Sequence, residues 1–210
     1  MKKRILCFGD SLTWGSDPAS DQRLEDRWPI TLQALLGDGY TVIEEGQGGR
    51  NIATDDVPEG EKNGLKYILP CLETHSPLDL VIIMLGTNDC KRKFAYSLQD
   101  IAWEMERFLE KVLTHRHFKA QDRYQVLLIA PPPINEGIQH SWLGDLFAYD
   151  EGRRKSMELH TWYEDIAKRY GILFMDGGLY AASSEIDGIH LDSENQRKLA
   201  RAVADFIKAM

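Results

Sequence analysis

Residues 80–89 read Leu80-Val81-Ile82-Ile83-Met84-Leu85-Gly86-Thr87-Asn88-Asp89. The apolar part carries no charge and does not alternate with polar residues. A continuous apolar run of that length fits a strand covered on both faces, as in a parallel sheet. Working outward, similar runs occur at Arg4–Phe8, Thr41–Glu44, Gln125–Ala130 and Ile172–Met175. Helical periodicity fills the gaps at Trp28–Leu36, about Gly64–Thr74, Leu98–His115, about Gly152–Tyr170 and Ser193–Lys208. Ser97 and Asp100 have capping-box spacing, with Asp in place of Glu. The last helix carries Leu199, Val203, Phe206, Ile207 and Met210 behind Asp192 or Ser193 as N-cap. This alternation predicts an α/β three-layer sandwich with right-handed crossovers. Its five-stranded parallel sheet is expected in the flavodoxin-like order 2-1-3-4-5. With 210 residues and no linker, repeat or low-complexity tract, residues 1–210 are expected to form one domain.

The charge balance narrows the partners. The chain has 25 Lys+Arg against 33 Asp+Glu, a net charge of −8. That argues against nucleic acid and against a polybasic membrane patch. The longest apolar run, Leu80–Leu85, is far shorter than the ~20 residues of a membrane span. Met1-Lys2-Lys3-Arg4 resembles the start of a signal peptide. The apolar stretch after it, Ile5–Phe8, is shorter than the ~7–15 residues that an export signal needs. Cys7, Cys71 and Cys90 form no CxxC pair, which favours a reducing compartment. A cytoplasmic protein is expected.

Open parallel sheets bind ligands beyond the carboxyl ends of their strands. The polar residues that follow the strands therefore form one candidate edge. They are Gly9-Asp10-Ser11-Leu12, then Glu45-Gly46-Gln47-Gly48-Gly49-Arg50-Asn51, then Gly86-Thr87-Asn88-Asp89, and finally Asp187-Gly188-Ile189-His190. A serine becomes a nucleophile when a base takes its proton. His190 is the natural base. Asp187, three residues earlier, can reach the other imidazole nitrogen and fix the tautomer. The Ser11 N–H, a glycine N–H of the Gly48-Gly49 turn and the Asn88 amide can stabilise an oxyanion. Each residue also has a plainer reading alone. Ser11 could cap a helix, Asp187-Gly188 could be a turn, and Asn88 could belong to an Asx-turn. Their joint occurrence at three strand ends and one final loop favours a site.

Those segments, in that order and covering nearly the whole chain, resemble the sequence blocks of the GDSL, or SGNH, hydrolases. Arg4–Gly15, the Glu44-Glu45-Gly46 turn and Asp79–Asp89 look like the small bacterial arylesterase and acyltransferase branch. The resemblance implies an SGNH fold and a Ser-His-Asp triad of Ser11, His190 and Asp187. It implies an oxyanion hole of Ser11, Gly49 and Asn88, with Gly48 the alternative to Gly49. It also implies short-acyl ester hydrolysis, or transfer to an alcohol, without a metal or cofactor. A carbohydrate O-acetyl esterase is the alternative function.

Other signatures are weaker. Thr13 stands where the α/β-hydrolase elbow needs glycine. The Gly46–Asn51 run departs from GxGxxG at its last position and follows the second strand, and no P-loop is present. His115-Arg116-His117 fits a helix C-terminus better than a metal site. His75, His140 and His160 have no ligand-spaced partner in the sequence. Trp103 and Phe108 read as core or helix-face contacts, and Arg153-Arg154-Lys155 as a solvated face. Leu12, Trp14 and Ile189 flank the candidate triad and suggest a hydrophobic substrate pocket, although Trp14 could equally be core. Two long loops, Glu45–Asn63 and Pro131–Tyr149, are the places to expect specificity. Trp142, Leu143, Leu146 and Phe147 in the second loop either pack back on the sheet or form an interface. A homo-oligomer is expected.

Overall fold

Strand β3, Leu80–Met84, is buried at every position in the computed structural model. Residues 2–20, 22–118 and 124–210 are described, with residues 116–118 described by their backbone alone. The other strands are β1 (Lys3–Gly9), β2 (Tyr40–Gly46), β4 (Gln125–Ala130) and β5 (Leu173–Asp176). All pairings are parallel, in the order β2-β1-β3-β4-β5. The expected architecture and strand order are both found.

The pleat sorts each strand between two cores, because successive side chains point to opposite faces. Leu6, Phe8, Val81, Ile83, Val126 and Leu128 face one core. Ile5, Cys7, Ile82, Met84, Leu127 and Ile129 face the other. Helices α3 (Gly64–His75), α4 (Leu98–Phe118) and α5 (Asp150–Tyr170) cover the first face. Helices α2 (Trp28–Leu36) and α6 (Ser193–Lys208) cover the second. Burial on both sides is the reason β3 needs no polar residue.

Local signals hold at the helix ends. The Ser97 N–H donates to Asp100 Oδ2 at 2.8 Å, and the Asp100 N–H donates to Ser97 Oγ at 3.2 Å. That is the reciprocal capping box. Asp192 caps α6 by accepting from the Asn195 N–H at 2.8 Å. A further helix, α1 (Ser11–Trp14), was not expected. It is too short for a periodic signal. Gly46, at the end of β2, lets α1 approach: a Cβ there would lie 2.3 Å from the Trp14 backbone nitrogen.

Two side-chain expectations are corrected. Trp103 is exposed and not core, whereas Phe108 is buried against Phe8 at a ring separation of 5.7 Å. Lys155 is buried and pairs with Glu151 at 2.6 Å, so Arg153-Arg154-Lys155 is not simply a solvated face. Among the described residues, no helix is long and apolar enough to cross a membrane.

Candidate active site

The ends of β1, β2 and β3 and the loop before α6 meet at one edge of the sheet. Ser11 opens α1 immediately after β1. Asp10 caps that helix, its Oδ1 accepting from the Leu12 N–H at 2.9 Å. The Ser11 N–H remains one of the orphan donors of the first turn.

Asp187 organises its own loop. Its Oδ1 accepts from the Ile189 and His190 N–H groups, both at 2.9 Å. Gly188 stands between them at φ +79°, with its Cα against the Ile138 backbone, and a Cβ there would lie 2.2 Å from the Ile138 nitrogen. The tight turn therefore requires glycine. Asp187 Oδ2 lies 2.6 Å from His190 Nδ1, and His190 Nε2 lies 2.9 Å from Ser11 Oγ. With Nδ1–H donating to the carboxylate, Nε2 is left to accept the serine proton. Burial pushes the Asp187 carboxyl up. The bond from His190, its charge and the two backbone N–H groups outweigh that and hold it below the usual carboxylate range.

The other two strand ends are tied together by Arg50, which is buried. Its Nη1 donates to the Gly9 carbonyl at 2.8 Å and also to the Glu45 carbonyl. Its guanidinium lies over the Phe8 ring at 4.2 Å. The Asn88 amide donates to the Arg50 carbonyl at 3.1 Å and makes a longer 3.4 Å contact with Asp10 Oδ2. The Arg50 N–H closes a turn on the Gln47 carbonyl at 3.2 Å. Gly49 is the third residue of that turn, at φ +76°, where glycine is favoured.

Ser11, Gly48, Gly49, Asn88, Asp187 and His190 all line one cleft of about 780 Å³. Trp14 and Ile189 line it too, so Trp14 is a wall of the cleft and not a core residue. Leu12 is a correction. It is 1% exposed and packs with Trp28 and Leu199 on the opposite face of the sheet. One step along α1 turns its side chain by roughly 100° away from that of Ser11. The loop aromatics divide. Leu143 and Phe147 are buried, whereas Trp142 is 79% exposed at the rim.

An ion pair that no sequence motif marks also lines the cleft, beside Gly49. Lys91 Nζ meets Glu59 Oε1 at 3.0 Å, and both residues line the cleft. Neither residue carries a motif; only the length of the first loop pointed there. Asp89, part of the Gly86–Asp89 block, accepts from the Ile52 N–H at 3.0 Å and so ties the β3 end to the first loop, a contact that the block itself does not reveal. His115 is buried near the end of α4, 3.7 Å from Glu73, while the side chains of Arg116 and His117 lie outside the described residues.

Burial pushes the Asp89 carboxyl up to about 8 and that of Asp10 up to about 6, against an ordinary 3.8. The backbone N–H bonds at each offset this only in part. Both folded values exceed the unfolded ones. The folded chain therefore holds more protons than the unfolded chain between them, and these groups lower stability as pH rises through that window. Asp89→Asn should flatten the fall, because the amide keeps an acceptor oxygen and cannot ionise. Urea midpoints of both proteins from acid to mildly alkaline pH check this. Parallel curves would contradict it.

Residues 7–198 match the GDSL-like Lipase/Acylhydrolase family. The native aryl esterase of M. smegmatis is similar at 39% identity, with 99% of each chain covered and a TM-score of 0.92. Est24, a carbohydrate acetylesterase from Sinorhizobium meliloti, is similar to the same degree: 39% identity, 99% of each chain and a TM-score of 0.92. An acetylxylan esterase of Xylanibacter ruminicola is 28% identical over 98% of this chain. This chain spans 43% of the length of that relative.

Proposed function

The chain belongs to the GDSL-like Lipase/Acylhydrolase family, and from that premise we propose that residues 1–210 form one catalytic domain of a serine esterase. Its substrates are small esters with short acyl groups, which it hydrolyses or transfers to an alcohol. The observation that carries this reading is the hydrogen-bonded chain from Asp187 through His190 to Ser11 on the wall of the cleft.

Ser11 Oγ attacks the acyl carbon as His190 Nε2 takes its proton. Asp187 holds the imidazole in the required tautomer and stabilises the imidazolium. The Ser11 N–H, the Gly49 N–H and the Asn88 amide receive the oxyanion. Gly49 takes this role in preference to Gly48 because the turn sets it at positive φ, next to the anchored Arg50. His190 then gives its proton to the leaving oxygen, and the acyl-enzyme forms. Water or an alcohol repeats the sequence in reverse, with His190 again as base. No step calls on a cofactor or metal. Asn88→Ala is expected to cost about 2.7–4 kcal/mol of transition-state stabilisation, seen in kcat. A loss confined to KM would remove Asn88 from the oxyanion hole.

Trp14 and Ile189 give the cleft an apolar wall suited to an aryl leaving group or a short acyl chain. A second reading, a carbohydrate O-acetyl esterase, is favoured by the polar residues that line the same cleft. Asp17, Ser20, Gln22 and the Lys91–Glu59 pair lie there and can meet sugar hydroxyls. Two panels separate the readings: phenyl and p-nitrophenyl esters of increasing acyl length, and acetylated sugars. Activity that peaks at long acyl chains contradicts both. A higher kcat/KM on acetylated sugars selects the second.

We also infer a homo-oligomer from Trp142 and Leu146, which leave an exposed apolar rim on an acidic protein. Light scattering should give a mass above that of the monomer, and a monomeric mass would contradict it. The three cysteines are free and buried, which supports a reducing, cytoplasmic setting.

A further inference from the structure

Cys71 and His75 stand four residues apart on α3, so both point to the same side of the helix. That side faces the end of β2, where Glu45 projects from the edge strand of the sheet. The His75 Nε2 atom lies 2.7 Å from Glu45 Oε1. One ligand atom from each of Glu45, Cys71 and His75 falls within 4.8 Å of the other two. The expectation that His75 has no ligand-spaced partner is corrected, because Cys71 stands one helical turn before it and the fold adds Glu45. The spacing of Glu45 from α3 gives no motif, because the two elements meet only through the tertiary structure.

We propose that Glu45, Cys71 and His75 form a binding site for a divalent cation of the zinc class. The donor set is one thiolate, one imidazole and one carboxylate. That mixture suits Zn²⁺ or Co²⁺ and does not suit Mg²⁺ or Ca²⁺, which prefer all-oxygen sites. Three protein ligands leave a fourth tetrahedral position for water. There is an approach for both ion and water. Cys71 is 1% exposed at the base, while the His75 and Glu45 side chains are 24% and 18% exposed at the mouth. The surroundings orient the ligands. The Tyr67 hydroxyl donates to Glu45 Oε2 at 3.3 Å, and Arg4 Nη2 donates to the His75 backbone carbonyl at 3.0 Å, which anchors the end of α3 without touching the imidazole. An outer contact such as that of Tyr67 fixes the geometry of a ligating carboxylate.

The neighbouring charge is compatible. Glu45 and an ionised Cys71 bring two negative charges to the dication. The Arg50 guanidinium stands close by, but it is engaged with the Gly9 and Glu45 carbonyls and with the Phe8 and Tyr67 ring faces. Binding replaces the His75–Glu45 hydrogen bond. His75 carries its proton on Nδ1 and offers Nε2 to the ion. The Cys71 S–H gives its proton to solvent as the metal–sulfur bond forms. No electrons are transferred. The site is separate from the Ser11–His190–Asp187 set and does not depend on the esterase reading.

The test is a Co²⁺ titration of the full chain, followed by the thiolate-to-cobalt charge-transfer absorption. Wild type should bind one Co²⁺ per chain with that band, and Zn²⁺ should displace it. Cys71→Ala should abolish the band. His75→Gln and Glu45→Gln should each weaken binding by at least about tenfold. Circular dichroism confirms that each variant is folded, and Cys71→Ser serves if Cys71→Ala is not. Absence of the band at millimolar Co²⁺ overturns the proposal. So does a band that survives in the folded Cys71 variant. In either case the cluster is only a His75–Glu45 hydrogen bond that ties α3 to β2.

Discussion

Replacing Ser11 with alanine is expected to lower kcat on p-nitrophenyl acetate by a factor on the order of 10⁶, the scale seen when a serine nucleophile is removed. The expectation rests on what the hydroxyl touches. Its hydrogen-bond partner is His190 Nε2, at 2.9 Å, and it opens on the cleft. It supports no other element, so the variant should keep its thermal midpoint. KM should change little, because the cleft-lining Trp14 and Ile189 are untouched. The residual rate should reflect the remaining donors acting on a water attack. Hydrolysis at the wild-type rate would remove Ser11 from the mechanism.

Asp187→Asn is expected to lower kcat by about 10⁴-fold. The substitution keeps Oδ1, and with it the acceptor for the Ile189 and His190 N–H groups, so the loop keeps its shape. What changes is the other side-chain atom, 2.6 Å from His190 Nδ1. An amide N–H there turns Nδ1 into an acceptor and moves the ring proton to Nε2. That nitrogen then cannot take the serine proton. The imidazolium also loses its carboxylate partner. A drop of only a few-fold would mean that another group orients His190. The pair of variants is informative together: Ser11→Ala removes the attacking atom, whereas Asp187→Asn leaves it and removes the base.

Much of this arrangement was legible from residue types alone. β3 and β4 are buried on both faces, and their apolar runs say so directly. The helices Trp28–Leu36 and Ser193–Lys208 coincide with their periodic patterns. The meeting of Ser11, Asp187 and His190 was legible because Ser11 follows the end of β1 and Asp187 and His190 flank the Gly188 turn ahead of α6, on the same edge. Leu12 was not, since apolar character beside a nucleophile does not reveal which way a four-residue helix turns it. The loop residues were also out of reach. Lys91 and Glu59 are 32 residues apart and meet only through the path of the first loop. In the Glu45–Cys71–His75 cluster the helical spacing of Cys71 and His75 stands in the sequence, and only Glu45 joins through a tertiary contact.

In the proposed reaction an acyl group is carried covalently on Ser11 Oγ. Rapid mixing with p-nitrophenyl acetate, acid quench and mass spectrometry of the digested chain test it most directly. An acetyl mass increment is expected on the peptide that holds Ser11, absent from Ser11→Ala. Steady turnover with the acetyl group on another residue, or with no covalent acyl group formed under single-turnover conditions, would contradict it.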